Sequence, residues 1–461
     1  MPHPLLATDA PTAVPIWAVT EDSFAEMAER LSAPARAFAA AQGFEPKPGS
    51  HCLLPRADGE LEGVLFGVDG ASSKRPDPFL AGKLPTVLPD GAYRLEGAWP
   101  DPTLATLAWL LGGYRFERYR EPAKNHAGLV PPQAVDSEEV TRIAAAVSLG
   151  RDLVNTPAND LGPEEIEAAA RSLAAKHGAA IETTVGGALL QQNFPMIHAA
   201  GRASPRAPRL IELRWGERDA PQVAIIGKGV AFDTGGLNIK PDSAMSLMKK
   251  DMGGAAAALA LADMVMGAGL AVNLRVLIPA VENAISGSSF RPGDVLRSRK
   301  GITVEIGNTD AEGRLILADA LALADEEAPE IVVDFATLTG AARVALGPDL
   351  PPFYTEDDVL GADLGRLADA VNDPVWRMPL WRPYAKMLES KIADINHISG
   401  GPFAGSMTAA LFLARFVEKA RSFAHFDIYA WNPTTKPGRP EGGEVQGARL
   451  AYGLLKERYG G

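Results

Sequence analysis

Residues 308–320 read NTDAEGRLILADA, and the path the backbone takes through them decides both a fold boundary and a chemistry. Asp310, Glu312 and Arg314 stand two apart, directly ahead of an apolar run with helical spacing. Inside a helix, residues two apart point about 200° apart around the axis and cannot share a target. In an extended segment, positions i, i+2 and i+4 face one side. Two readings compete. Either an extended loop aims two carboxylates and a guanidinium at one place, or the stretch is an ordinary helix N-terminus, where Asp and Glu oppose the dipole and Asn or Thr caps.

Around this stretch, strand-like and helix-like segments alternate. RLIELRW (209–215), QVAIIG (222–227), LRVLIPA (274–280) and EIVVDFA (330–336) are β-branched and apolar, with helical patterns at about 255–267 and 315–327 between them. Such alternation predicts an α/β domain with a mostly parallel central sheet flanked by helices, and ligands in such sheets bind beyond the carboxyl ends of the strands. The chain of 461 residues is too long for one small core, so two domains are expected. Before residue 136, CLLPRADGELEGVLFGV (52–68) reads as a hairpin around Ala57-Asp58-Gly59, with Val64, Phe66 and Val68 on one face. TLATLAWLLGGY (103–114) reads as a helix ending at its glycine pair. AGLVPPQAV (127–135) reads as a linker because of its Pro pair, and a linking helix follows at about 136–156. The expected division is therefore a smaller N-terminal domain, 1–135, and a larger C-terminal domain, 136–461.

Composition narrows the function classes. The chain is 46% apolar and carries a net charge of −12, which repels nucleic acid and anionic membranes. Its single cysteine, Cys52, excludes an intramolecular disulfide and any Cys-rich zinc site. MPHPLLATDAPTAVPIW (1–17) has neither a basic n-region nor an apolar h-region, so no secretory signal is expected. The Ala-rich stretch 255–272 carries Asp263 and two glycines, which suits a tightly packed core helix better than a membrane span. The expectation is a soluble, cytoplasmic protein.

The strand QVAIIG leads into GKGVAFDTGGLNIKPDSAMSLMKKDMGGAAA (227–257). A phosphate-binding loop would need Ser or Thr after Lys228, where Gly229 stands, and a dinucleotide fingerprint would need Gly in place of Phe232. Asp233 and Asp251 each sit beside a Gly pair, where a bound ion could approach the backbone; singly, either reads as a turn or cap residue. With Asp310 and Glu312 they make four carboxylates and no His or Cys. Four carboxylates in one dry pocket repel unless cations neutralise them, and two divalent ions about 3.5–4 Å apart would do so.

Asn308 to Leu315 (NTDAEGRL), with GKGVAFDTGG (227–236), IKP (239–241), MKKDMGGAAA (248–257) and DFATLTGAA (334–342), resembles the leucyl (cytosol) aminopeptidases, a family of two-metal exopeptidases. The resemblance runs from about residue 136 to the C-terminus and implies a smaller, variable α/β domain ahead of it. It implies that Lys228, Asp233, Asp251, Asp310 and Glu312 hold two divalent ions, zinc or manganese foremost, with Asp233 and Glu312 bridging. Lys228 would have to ligate as a neutral amine. It implies two catalytic groups: Lys240, facing the oxyanion of the tetrahedral intermediate, and Arg314, holding a bicarbonate that takes a proton from the activated water. Met248, Thr337 and Gly340 would line the pocket for the first side chain. The implied substrates are peptides with a free N-terminus, and the implied assembly is a homohexamer. On this reading the extended loop wins, aiming Asp310, Glu312 and Arg314 before a helix begins near Leu315.

The chain departs from the family after His425-Phe426-Asp427-Ile428, where Tyr429-Ala430-Trp431-Asn432 replaces a run of small residues. A preference for leucine is therefore not implied, and the competing reading is that these aromatics pack in the core. A nucleic-acid-binding role, known for some family members, is opposed by the net acidity and the lack of a basic cluster in the first domain. A catalytically dead scaffold is opposed because every catalytic position is filled.

Overall fold

The computed structural model describes residues 3–8, 12–121 and 127–460, so parts of the N-terminal stretch read for a signal lie outside the described residues. The chain divides into two units, one of residues 1–148 with 434–441 and one of 149–433 with 442–461. The first contains β1 (Val14–Val19), β2 (His51–Pro55), β3 (Leu61–Gly67), β4 (Gly91–Gly97) and β5 (Ala127–Val130). These form one sheet in the order β2-β3-β1-β4-β5, parallel except for the β2–β3 hairpin. Helices Phe24–Arg30, Ala33–Ala41 and Pro102–Gly112 complete the unit, the last ending at Gly112-Gly113 as the sequence suggests.

One expectation for this unit needs correction. The stretch 127–135 is not all linker: Ala127–Val130 pairs with β4 as a parallel strand. Only the prolines that follow lack a donor, so the four residues ahead of them are free to join a ladder. The hairpin of β2 and β3 forms as read, and β3 is buried on both faces. Val64, Leu65 and Phe66 are all fully buried, Leu65 in a cluster with Val19, Leu31, Ala35, Ala39 and Leu54, and Phe66 stacked on Trp99 at 5.7 Å. Helical residues in that cluster cover one side of the sheet, which erases the alternation a half-exposed strand would show.

The second unit begins within the helix Ser137–Asn155. Its strands are β6 (Ala180–Val185), β7 (Arg209–Trp215), β8 (Gln222–Gly227), β9 (Gly229–Asp233), β10 (Asn273–Asn283), β11 (Val295–Arg297) and β12 (Thr303–Glu305). They continue with β13 (Ile331–Ala336), β14 (Pro352–Tyr354), β15 (Trp376–Met378), β16 (Ile395–Asn396) and β17 (Ser422–Asp427). The main sheet runs β15-β14-β17-β13-β8-β10-β7-β6, with β9 also on β10. Its centre, β17-β13-β8-β10, is parallel, and the antiparallel pairs lie outside it. This is the mostly parallel sheet the sequence predicts. Its central strands are buried on both faces, hence their continuous apolar runs.

Helices Gly253–Gly267 and Glu312–Asp325 pack on these central strands. The first is buried over Gly253–Met266, as its alanines suggest, and no helix among the described residues is long and apolar enough to cross a membrane. Its entry is pressed against the sheet. A Cβ on Gly254 would fall 2.1 Å from Phe335 O and 2.7 Å from Lys228 N, where only a hydrogen atom fits. Lys228 N donates to Phe335 O at 3.0 Å and Ala255 N to Lys228 O at 2.8 Å, tying strand, helix and neighbouring strand together. Gly254→Ala should therefore cost about 1–3 kcal/mol or more, because both obstacles are backbone and neither can swing aside. Urea denaturation of the variant against the parent measures this; an unchanged midpoint would show that the helix can shift freely.

Candidate metal centre

The polar residues singled out in the sequence fall at the carboxyl ends of the central strands, where parallel sheets bind ligands. Lys228 fills the break between β8 and β9, and Asp233 ends β9. Asp251 lies in the 3₁₀ turn Met248–Met252 ahead of the helix Gly253–Gly267. Asp310 lies in the turn Thr309–Ala311, and Glu312 opens the helix Glu312–Asp325 with Arg314 in its first turn. Lys240 follows the corner Gly235-Gly236, whose φ angles of +87° and +63° suit glycine.

The backbone through Asp310 is not the extended loop expected, and the helix begins at Glu312 and not near Leu315. Only Asn308 is extended; its side chain accepts the Asp310 N–H at 2.8 Å, and the chain winds at once into the 3₁₀ turn. Asn308 caps this turn, which runs straight into a helix that starts three residues earlier than the i, i+2, i+4 argument allowed. The carboxylates still converge, since side chains at a helix start lean toward its N-terminal end. One oxygen from each of Asp233, Asp310 and Glu312 lies within 4.8 Å of the others.

Two ammonium groups sit among these carboxylates. Lys228 Nζ lies 2.8 Å from Asp251 Oδ2 and 3.1 Å from Glu312 Oε1, and donates to Thr337 O at 2.9 Å. Lys240 Nζ lies 2.8 Å from Asp233 Oδ2 and 2.6 Å from Asp310 Oδ1. Even so, Asp251 Oδ2, Asp310 Oδ1 and Glu312 Oε1 are shut off from solvent without a properly aligned hydrogen bond. Burial, reinforced by neighbouring carboxylates, pushes Glu312 up to about 8 and Asp310 up to about 6, and raises Asp251 as well. Burial pulls both lysines down, but the carboxylates outweigh it and hold each above its ordinary value. Four carboxylates facing two ammonium groups leave excess negative charge in a dry volume. Unsatisfied, proton-hungry oxygens with one amine among them are the donor set that hard and borderline divalent cations take.

Residues that no motif flagged hold this set in place. Asn283, at the end of β10, donates Nδ2 to Asp233 Oδ1 at 2.8 Å, to Thr309 O at 3.1 Å and to Glu312 Oε2 at 3.3 Å. The only sequence signal for it is a polar side chain closing an apolar strand. His397 has none. Burial drives its pKa down to about 3, so it is neutral; Nδ1 accepts from Gly307 N–H and Nε2 donates to Asn308 O at 2.9 Å. Its carbonyl accepts Arg314 Nη1 at 2.6 Å. Arg314 is buried, which lowers its pKa to about 10, and its Nε finds no acceptor. Thr337 Oγ1 contacts Asp251 Oδ1 at 2.8 Å, so this residue touches the carboxylate set as well as any pocket beyond it. Met248 is half-buried, and Gly340 is exposed at the start of the helix Gly340–Leu346. Tyr429 and Trp431 are half-buried too, each with a lysine ammonium over its ring. They are not simple core aromatics.

A model of the cytosol aminopeptidase family catalytic domain matches residues 148–451, and a model of the M17 aminopeptidase N-terminal domain matches 14–132. The chain is 40% identical over 366 residues to a probable cytosol aminopeptidase of Syntrophotalea carbinolica, covering 76% of this chain and 73% of that protein. It is 38% identical over 426 residues to one of Xanthobacter autotrophicus, covering 86% and 85%. Among solved structures, the cytosol aminopeptidase of Coxiella burnetii superposes with a TM-score of 0.93 at 44% identity, covering 98% of each chain. The bottromycin maturation enzyme BotP in complex with Mn superposes with a TM-score of 0.85 at 31% identity, covering 96% of this chain and 99% of that one.

If the carboxylate set takes divalent ions, adding Mn²⁺ or Zn²⁺ to chelator-treated protein should raise its resistance to denaturant. At about 100 times the dissociation constant the gain per site is about 2.7 kcal/mol. Glu312→Gln should lose most of that gain while keeping the parent's far-ultraviolet circular dichroism. A parent protein indifferent to every divalent ion tried would count against the site.

Proposed function

The chain belongs to the cytosol aminopeptidase family and is a metal-dependent aminopeptidase, and from that premise we propose how its residues divide the work. The observation that carries the proposal is the convergence of Asp233, Asp310 and Glu312, with Asp251 joined to Glu312 through Lys228, and the lack of an aligned hydrogen bond at Asp251 Oδ2, Asp310 Oδ1 and Glu312 Oε1. We infer that these four and Lys228 hold two divalent ions, zinc or manganese. When bound, such ions supply an activated water and an anchor for the substrate's free amine, which restricts cleavage to the N-terminal residue.

Lys240 has a second task once cations take up the charge of Asp233 and Asp310. Its ammonium is then free to face the carbonyl oxygen of the scissile bond, where negative charge develops. Its loop is fixed by Lys240 N donating to Thr234 O at 2.9 Å, so the group is aimed before substrate arrives. Arg314 is anchored through Nη1 on His397 O and keeps Nε unspent. A planar cation held this way suits a bicarbonate-sized anion as proton carrier between water and leaving amine. Met248, Thr337 and Gly340 are assigned to the pocket for the first side chain. A homohexamer and a cytoplasmic location belong to the same proposal, on the strength of the family. The net charge of −12 favours peptide substrates over nucleic acid as partners.

Lys240→Ala should lower kcat on aminoacyl amides by about 10²–10³, the usual loss for removing one oxyanion donor, while metal content stays at the parent's level. Arg314→Ala should lower kcat too, and added bicarbonate should stimulate the parent but not the variant. Steady-state kinetics with elemental analysis checks both. A fully active Lys240→Ala protein would end the oxyanion assignment.

A further inference from the structure

Beside the carboxylate set lies a second cluster, of opposite sign, that the reaction chemistry does not use. Lys250 precedes Asp251 in the chain and is only 5% exposed. Its Nζ stands 4.5 Å above the Tyr429 ring, and among the described residues it has neither an ion-pair partner nor a hydrogen-bond acceptor. Arg343 Cζ stands 5.2 Å from the centroid of the same ring; this side chain, too, forms no ion pair among the described residues. Its Nη2 lies 4.0 Å from where a Cβ on Gly340 would be. Lys249 next door differs, since its ammonium donates to Asn155 O at 2.7 Å. An ammonium on a largely buried side chain, with a ring face as its near contact and Asp251 and Asp427 acting on it only through space, is under-compensated and gains from an incoming anion.

The corner that carries Tyr429 is rigidly placed. Tyr429 N and Ala430 N both donate to Gln446 Oε1 at 3.0 Å, and Ala430 is held at φ +57°, a strained angle for a residue with a Cβ. A Cβ on Gly253 would fall 2.2 Å from Ala430 Cβ and 3.2 Å from Thr337 Cγ2, so the corner abuts Thr337, which itself contacts Asp251. A succession of contacts thus leads from Lys250, the chain neighbour of Asp251, through the Tyr429 ring to Arg343 and on to Gly340.

We propose that Lys250 and Arg343, steadied on the Tyr429 ring, form a cationic wall of the pocket for the substrate's first side chain, selecting peptides whose N-terminal residue is Asp or Glu. The inference rests on the aminopeptidase reading above and names its substrate class. A side-chain carboxylate entering there meets two cations that have no direct ion-pair partner, Asp251 and Asp427 reaching Lys250 only through space, whereas a leucine side chain would strip water from the Lys250 ammonium and give it no acceptor in return.

The test is hydrolysis of aspartyl, glutamyl, leucyl and lysyl amides by the metal-loaded enzyme, since amides carry no C-terminal carboxylate that could mimic the effect. The expected result is a kcat/KM for the better acidic amide at least tenfold above leucyl amide. That ratio should fall at least tenfold in Lys250→Met and in Arg343→Met, and Arg343→Glu should raise lysyl amide relative to glutamyl amide. Arg343 is exposed, so its variants stay informative even where Lys250→Met folds poorly. Leucyl amide cleaved as well as or better than the acidic amides, or a ratio unmoved in the Arg343 variants, would overturn the inference and leave the aminopeptidase reading standing. An acidic preference seen with dipeptides alone would also overturn it, because the cations would then be reading the peptide's C-terminus. Hydrolysis of no amide at all would overturn both.

Discussion

Mutual repulsion among four carboxylates, three buried and one half-buried, is the constraint around which this catalytic unit is organised. Asp233, Asp251 and the pair Asp310 and Glu312 come from three separate segments, and nothing apolar would hold them together. Lys228 and Lys240 supply part of the missing positive charge and bridge the segments in pairs, Asp251 to Glu312 and Asp233 to Asp310. Neither lysine can do so unless the backbone comes close. A Cβ on Gly313 would fall 2.6 Å from Lys228 Cε, and one on Gly235 would fall 2.9 Å from Asp310 Oδ1. The glycines of these motifs therefore make room for ionic contacts, a more exacting demand than turning a corner.

Around the charged set lies a neutral scaffold of matched donors and acceptors. Asn283 spends one amide group on Asp233, Glu312 and the Thr309 carbonyl, so strand β10 fixes the spacing between the first and last carboxylates. His397 does the same for the backbone of Asn308 and Gly307, Nε2 donating to Asn308 O and Nδ1 accepting the Gly307 N–H; the second bond needs a neutral ring, which complete burial beside the Arg314 cation ensures. Asp427 secures the far side. It accepts Leu338 N–H and Thr339 N–H at 3.1 Å and the Thr339 hydroxyl at 2.6 Å, holding the turn from which Thr337 reaches Asp251 and Lys228. Each of these groups is polar, buried and satisfied, and the precision of the charged set depends on that.

The main sheet was legible because its central strands are buried on both faces and read as unbroken apolar runs bounded by glycine and polar residues. The charged set was legible because its residues sit inside dense motifs, from Lys228 to Asp251 and from Asn308 to Arg314. Asn283 and His397 were not. They lie 26 and 89 residues from the backbone carbonyls they contact, and a single Asn or His carries no periodicity to announce it. β5 was missed for a different reason: the Pro pair after Val130 governs only its own donors, and the rule was applied too far upstream. Tyr429 and Trp431 were left between wall and core. The cations above their rings come from distant segments, and only the tertiary arrangement reveals them.

The opening stretch NTDAEGRL shows why local geometry alone misleads. The two readings of it were posed as rivals, and the structure has the backbone of one with the convergence expected of the other. It is a helix N-terminus entered through a 3₁₀ turn that Asn308 caps by accepting the Asp310 N–H, and it is also where Asp310 and Glu312 join the shared charged volume. The helix start lends its own positive potential to that volume, which eases the crowding of anions there, and it carries Arg314 in the same first turn. An extended loop would have aimed the same three side chains but supplied no dipole and left the backbone free to breathe. Placing the carboxylates on the first turn of a helix buried throughout Glu312–Asp325 therefore gives the repelling groups both a favourable field and a rigid base.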